Sequence, residues 1–253
     1  VLAFCWLPAQ GDFNVILLCI IGSFGSYWYL TRTDLDIRIV VAAALIVRVG
    51  VVPNFPNLSD DIFRFIWDGR LIQAGYHPFV SLPSQIIDQY TGINQALYDR
   101  LNSPSYYSIY PSVPQLIFWL STLKASSSYI SEAIVMKSIH LIFELGTLRL
   151  VWLLLKQYQL PTKYWLLYAL NPLIIVEVLA NVHHEGVMIF FLMACLYFLN
   201  RKQMIQYVLR FFLYYYAPFC FFISRDEHDG YSQSLALSLQ LVFSRPSSSV
   251  RIS

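Results

Sequence analysis

Leu58-Ser59-Asp60-Asp61-Ile62-Phe63-Arg64-Phe65-Ile66-Trp67-Asp68-Gly69-Arg70 follows an apolar run that ends near Val52, and its reading decides the fold. Ser59 can cap a helix whose first turn holds Asp60 and Asp61, where acidic side chains suit the positive end of the helix dipole. Arg64 stands four residues after Asp60 and three after Asp61, within pairing reach of either, and Asp68 extends the ladder by one turn. The other face carries Ile62, Phe63, Phe65 and Ile66, so the helix suits a position lying in a membrane interface rather than crossing it. Two adjacent carboxylates just beyond a membrane-length segment, with rings and arginines behind them, point to a site at a bilayer surface.

The composition demands such a surface. A hydrophobic fraction of 57% with only 13% charged residues, and a mean hydropathy of +0.53, exclude an ordinary soluble domain and predict an all-α, polytopic transmembrane protein. A net charge of +2, dispersed along the chain, gives no footprint for nucleic acid. The 18 Phe, 18 Tyr and 6 Trp fit aromatic belts at membrane interfaces better than base stacking. Cys5, Cys19, Cys195 and Cys220 sit in apolar runs without CxxC spacing, which indicates packing residues rather than a disulfide framework or a zinc site. Val1 to Leu7 reads like the tail of an apolar segment, so a fragment or a processed N-terminus is expected, and no cleavable signal peptide can be assembled there.

Phe13 to Leu30 is long enough to cross a hydrocarbon core of about 30 Å. Ile37 to Val52 is a second apolar run that contains Arg38 and Arg48. Arg38 is expected to reach the near interface, and Arg48 either snorkels to the surface that bears Asp60 or meets an anionic ligand. Residues 53 to 110 form a long external loop of mixed polarity, and a loop of that length usually carries function. Pro111 to Leu123 restarts an apolar pattern that is short for a span, with prolines suited to a helix's first turn. Ile130 to Leu155 can cross with tilt, and it places Lys137, His140, Glu144 and Arg149 within or beside the apolar stretch. Tyr164 to Leu179 leads into Asn181-Val182-His183-His184-Glu185-Gly186, after which Val187 to Leu199 returns.

Basic residues at 156 to 163 and 201 to 202 put that tip outside by the positive-inside rule, on the same side as the Asp60 loop. Both cannot hold if 111 to 123 and 130 to 155 each cross. The short proline-led segment is therefore expected to be re-entrant or incomplete. Met204 to Ile223 is a further apolar stretch rich in Phe and Tyr, followed by a Ser-rich end that reads as disordered.

Asp60 and Asp61 can cap the helix, hold a metal or act as a general base. Apolar surroundings and a like charge should raise one carboxylate's proton affinity, which favours taking a proton from a hydroxyl. His183, His184 and Glu185 do not make a zinc motif, because the HExxH pattern needs a histidine where this chain has Met188. Neighbouring helical residues also point about 100° apart, which keeps both imidazoles off one metal. Hydrogen bonding to phosphate or to sugar hydroxyls suits the two histidines better, with ordinary loop polarity as the plain alternative.

These segments together resemble a known family. The run from Ser59 to Arg70, then Gly75-Tyr76-His77-Pro78-Phe79, Tyr110-Pro111-Ser112-Val113-Pro114-Gln115, Ala169-Leu170-Asn171-Pro172 and Asn181 to Gly186 are similar, in order and spacing, to the polytopic bacterial mannosyltransferases of the GT-C class over about residues 13 to 203. The resemblance implies an integral enzyme of the cell's inner (plasma) membrane. Such an enzyme moves a hexose, commonly mannose, from a polyprenyl-phosphate donor to a glycan or lipid acceptor with inversion, and without a metal or other cofactor. By match the catalytic base is Asp60, with Asp61 the alternative. Arg64, Arg70, Lys137, His183 and His184 are the candidates for the leaving phosphate, and His77, Tyr110, Gln115 and Glu185 complete the implied substrate-binding set. The chain departs from the family's pattern at Ser112, at His77 and, above all, after about Tyr207. Residues 1 to 207 are therefore expected to form an incomplete core and 208 to 253 an atypical segment from a truncated or frame-shifted gene, with activity in doubt. The rival is a transporter in which Arg48, Lys137, His140 and Glu144 line a polar path near mid-membrane.

Overall fold

The computed structural model describes residues 1 to 6, 9 to 87, 89 to 90, 92 to 124 and 129 to 198, and these are all helix and connection, with no strand among them. The chain beyond Phe198, including the expected change after Tyr207, lies outside the described residues. A short helix α1 (Leu2–Trp6) precedes α2 (Phe13–Thr31) and α3 (Ile37–Val51). Next come α4 (Asp61–Gln73), two single-turn helices α5 (Pro83–Ile86) and α6 (Gln95–Tyr98), then α7 (Ser112–Thr122) and the long α8 (Ile130–Gln157). A 3-10 turn, Thr162–Tyr164, leads into α9 (Trp165–Ala169); α10 (Pro172–Ile174) continues as a π-helical turn, Ile175–Ala180, and α11 (Glu185–Phe198) closes the described chain.

At 1.5 Å per residue, α2 is about 28 Å long and α8 about 42 Å, so both are long and apolar enough to cross a bilayer. A third span is available if Thr162–Ala169 and Pro172–Ala180 act as one helix bent by 44°. The break has a chemical cause. Pro172 has no backbone N–H to continue the ladder, and Asn171 caps the new start by accepting from the Leu173 N–H at 3.0 Å. The interruption frees the Ala169 carbonyl, which accepts from Arg48 Nη1 at 2.6 Å. Arg48 also donates through Nε and Nη2 to Glu144 Oε2 at 3.1 and 3.0 Å, and the Tyr168 hydroxyl donates to Glu144 Oε1 at 2.6 Å. Arg48 and Glu144 are both 0% exposed. Arg48 therefore neither snorkels nor waits for an anion: it ties α3, α8 and the broken helix together, because non-helical backbone inside a membrane protein needs a partner there.

Eleven-residue α7, about 16 Å long, is too short to cross. It lies against α4, with Phe65 and Phe118 stacked at 4.7 Å and the two backbones in close approach at Gly69, where a Cβ would stand 2.4 Å from the Phe118 carbonyl oxygen. By length alone, α4 and α7 form a non-crossing pair. Every residue from Ile62 to Leu71 is buried, so α4 differs from the half-exposed helix expected from its pattern. Its charged face is covered by α7 and the 101 to 110 segment. Arg64 pairs with Asp68 at 3.0 Å rather than with Asp60 or Asp61, and its Nη1 donates to the Ser103 and Tyr106 carbonyls. The helix also starts one residue later than the pattern implies: Asp60 takes the cap position, and the Asp61 N–H donates to Ser59 Oγ at 3.3 Å. The core beneath α4 gathers Ile62, Phe65, Ile66 and Trp67 with Phe118, Met136, Val182 and Val187, which brings the tip before α11 against the acidic helix.

Candidate active site

The tip is shaped by an irregular backbone. The π-helical turn closes with the Asn181 N–H donating to the Val176 carbonyl and the His183 N–H to the Glu177 carbonyl, each at 2.9 Å. Val182 between them has φ +63, a left-handed conformation that a β-branched residue rarely takes and that costs about 1 to 3 kcal/mol. Gly186 sits where a Cβ would meet Val178 Cγ1 at 2.3 Å, so the start of α11 is drawn tight onto the turn. These constraints send the side chains of His183 and His184 to different surroundings.

His183 is 32% exposed, with Nε2 3.7 Å from Asp61 Oδ2 and Nδ1 2.9 Å from Glu177 Oε2. The Asp61 and Glu177 carboxylates hold the imidazole up at about 10, so it is a cation at neutral pH. Asp61 in turn accepts from Ser59 Oγ at 3.0 Å and Asn102 Nδ2 at 2.5 Å. His183 pulls this carboxyl down to about 2, against the opposing effect of burial and with help from Asn102 and Ser59. The expected rise in proton affinity is therefore reversed at Asp61, because a cation and two donors outweigh its partial burial. The carboxyl that burial does push up is Asp68, despite Arg64, Ser108 and Gln115 around it. Asp68 accepts from Ser108 Oγ and from Gln115 Nε2, the latter at 3.0 Å. Asp60 is exposed, and its side chain makes no hydrogen bond or ion pair among the described residues.

His184 is 7% exposed. Its ring sits 4.8 Å from Phe65, 4.9 Å from Phe118 and 6.0 Å from Tyr110, and its Nδ1 is 3.1 Å from His140 Nε2. Burial, then the neighbouring His140 and His183, push His184 well below the usual histidine range. Burial and the Asp61 and Asp68 carboxylates raise the Tyr110 phenol.

Of the expected substrate-binding residues, Tyr110, Gln115, His183 and His184 converge here, and Glu185 begins α11 beside them, exposed. Three others are engaged with the protein. Arg64 holds Asp68. Arg70 donates to Glu132 at 2.5 Å and to the Gly92 carbonyl at 3.1 Å. Lys137, 0% exposed, donates to the Asn54 carbonyl at 2.6 Å, with that of Val51 at 3.4 Å, at the negative end of α3. His77 accepts from the Phe79 N–H within its own turn, and burial lowers its pKa. The four residues of the transporter alternative, Arg48, Lys137, His140 and Glu144, are all 0% exposed and bonded to protein groups. A 290 Å³ groove, apolar but for Arg149 and walled by Val41, Leu45, Leu148, Trp152 and Trp165, involves none of them and none of the site's residues. Among the described residues no group of three or more His, Cys, Asp and Glu has a metal-holding arrangement. Sequence reasoning missed Glu177 and Asn102 as partners in the site. Glu177 had a visible mark, an ionisable residue in an apolar segment, whereas nothing local distinguishes Asn102.

In this all-helical membrane protein carboxylates and histidines meet where two non-spanning helices join a bent helix pair, and its family match places it with the glycosyltransferases of the GT-C type. The family model described as alpha-(1->6)-mannopyranosyltransferase, N-terminal domain, matches residues 8–218, and the chain belongs to that family. No curated protein and no solved structure gives a significant match.

Proposed function

We propose that this chain, as a multi-pass protein of the inner membrane, transfers mannose from a polyprenyl-phosphate donor to a hydroxyl of a glycan or lipid acceptor, with inversion at the sugar C1. The observation that carries the reading is the Asp61–His183–Glu177 cluster, which joins two polar segments far apart in sequence at one half-exposed point. The acceptor oxygen attacks C1, the C1–O bond to phosphate breaks with its electron pair going to phosphate, and the acceptor proton passes to a carboxylate of the Asp60–Asp61 pair.

Asp61 is the better placed of the two, since donors hold it in position while Asp60 is free in solvent. A carboxylate kept ionised is a weak base. It suffices if the proton moves late, once the forming C1–O bond has made the hydroxyl strongly acidic. Among the candidates for balancing the phosphate, Arg64, Arg70 and Lys137 are buried and bonded to protein groups and His184 is uncharged, whereas His183 is a cation that reaches the surface beside Asp61.

The test is transfer from polyprenyl-phosphate mannose in membranes containing the full chain. Asp61→Asn should cut the rate by about 10²-fold or more, the usual scale for a general base, with the protein still inserted and folded. Asp60→Asn should cost far less. Full activity in Asp61→Asn would remove Asp61 from the chemistry, and loss only in Asp60→Asn would move the base to its neighbour.

A further inference from the structure

The hydrogen-bond polarity of the His140–His184 pair can be worked out from one end. His140 Nδ1 lies 2.9 Å from the Met136 carbonyl oxygen, which can only accept, so Nδ1 carries the proton. In a ring buried to 0% exposure and uncharged, Nε2 is then a bare acceptor, and the His184 Nδ1 that meets it at 3.1 Å must donate. The remaining nitrogen, His184 Nε2, is left with a lone pair. It is buried and has no hydrogen-bond partner among the described residues.

Two other buried acceptors nearby share that condition. Gln115 Nε2 donates to the Asp68 carboxylate, which fixes the amide and leaves Gln115 Oε1 without a donor. Asn181 Nδ2 faces Glu177 Oε2 at 3.4 Å and leaves Asn181 Oδ1 likewise. Gln115 stands one turn before Phe118, the ring against which His184 packs, and Asn181 stands three residues before His184. A buried acceptor left alone costs free energy comparable to a lost hydrogen bond, so the site is built for a ligand that brings donors.

We infer that His184 Nε2 receives a hydroxyl of the bound sugar, and that His140 is a positioning residue which holds His184 in the tautomer able to do so. The ligand class is a polyol such as a hexose; an ionised phosphodiester, like the one that joins the sugar to its lipid carrier, offers only acceptors and is refused at this nitrogen. The inference rests on the mannosyl-transfer reading and narrows it, since it separates the two histidines: His183 serves charge and His184 reads hydroxyls. Burial of His184 beside a cationic His183 supports the uncharged form that the bonding pattern needs.

The experiment uses the full chain in lipid nanodiscs, labelled with 15N-histidine, and methyl α-mannoside as the probe. His184 Nε2 should show as an unprotonated nitrogen in the free protein and move towards a hydrogen-bonded shift as the mannoside is added. One monodeoxy mannoside should fail to move it, and dimethyl phosphate, an ionised phosphodiester with no O–H donor, should leave it unmoved. In transfer assays His184→Phe should raise the KM of the sugar acceptor roughly three- to tenfold, as expected for one hydrogen bond, with kcat changed less. His184→Gln, whose amide oxygen can replace the acceptor, should recover most of that, and His140→Phe should leave His184 in mixed tautomers. A protonated Nε2 in the free protein, a nitrogen indifferent to mannoside, or a shift produced by dimethyl phosphate would each overturn the inference. Mannoside-dependent shifts without transfer from polyprenyl-phosphate mannose would overturn the proposed function and leave this assignment standing; transfer with a silent nitrogen would do the reverse.

Discussion

Replacing Arg48 by methionine strands Glu144. The two side chains are 3.0 Å apart with no exposed surface, and at an effective dielectric of about 20 their attraction is about 5 kcal/mol. The cost of desolvating both ions offsets much of that in the intact protein, but losing one partner leaves the other charge buried alone, which typically costs about 3 to 5 kcal/mol. Arg48→Met and Glu144→Leu should each destabilise by that amount and lower the melting temperature by about 6 to 20 °C. The double variant buries no charge. It still leaves the Ala169 carbonyl and the Tyr168 hydroxyl without the partners they have at 2.6 Å, each worth about 1 to 3 kcal/mol. Its loss should therefore be about 2 to 6 kcal/mol, clearly less than the sum of the singles. Thermal unfolding of the detergent-solubilised protein, followed by fluorescence-detected size exclusion, measures all three. Additive single and double effects would refute the reasoning, because they would mean that the two residues do not feel one another.

Gly69→Ala would place a methyl 2.4 Å from the Phe118 carbonyl oxygen and force α4 from α7; a loss of about 1 to 3 kcal/mol is expected in the same assay, while Gly25→Ala, inside α2 with nothing within 4 Å, should cost nothing and stabilise by up to about 1 kcal/mol. Stability should also depend on pH through the Asp61–His183 ion pair. The histidine rises from 6.5 to about 10, so its contribution is complete below about 6.5 and fades as pH climbs towards 10. The carboxyl falls from 3.8 to about 2, so its contribution is complete above about 3.8 and fades as pH drops towards 2. Melting curves should thus plateau between about pH 4 and 6.5, and His183→Asn should flatten the alkaline side; an unchanged alkaline slope in that variant would assign it elsewhere.

Much of the architecture is local and could be read from the chain. The apolar runs at 13 to 30 and 130 to 155 are the helices long enough to cross, the proline-led segment after Tyr110 is indeed too short, and the Asp60 loop and the 183 to 185 tip do meet. What escaped was tertiary. The partner of Arg48 is 96 residues away, so its sequence surroundings offer only lipid and surface as alternatives. The charged stripe of α4 looks solvent-facing because nothing within the helix announces that Ser103, Tyr106, Ser108 and Gln115 will cover it. The lowered pKa of Asp61 was missed for the same reason: its like-charged neighbour is adjacent in sequence, whereas the histidine and the asparagine that outweigh it come from distant segments. The two histidines read as equals because only the left-handed Val182 and the close-packed Gly186 send them apart.

That parting has a chemical yield. From one doublet of identical side chains the fold obtains a cation at the water's edge and a neutral imidazole packed among rings, two reagents of opposite character on consecutive residues. Shifting the doublet by one position within the loop would put one imidazole in its neighbour's environment and carry the other out of the pair, so the length of this short connection, as much as its composition, is what the chemistry constrains.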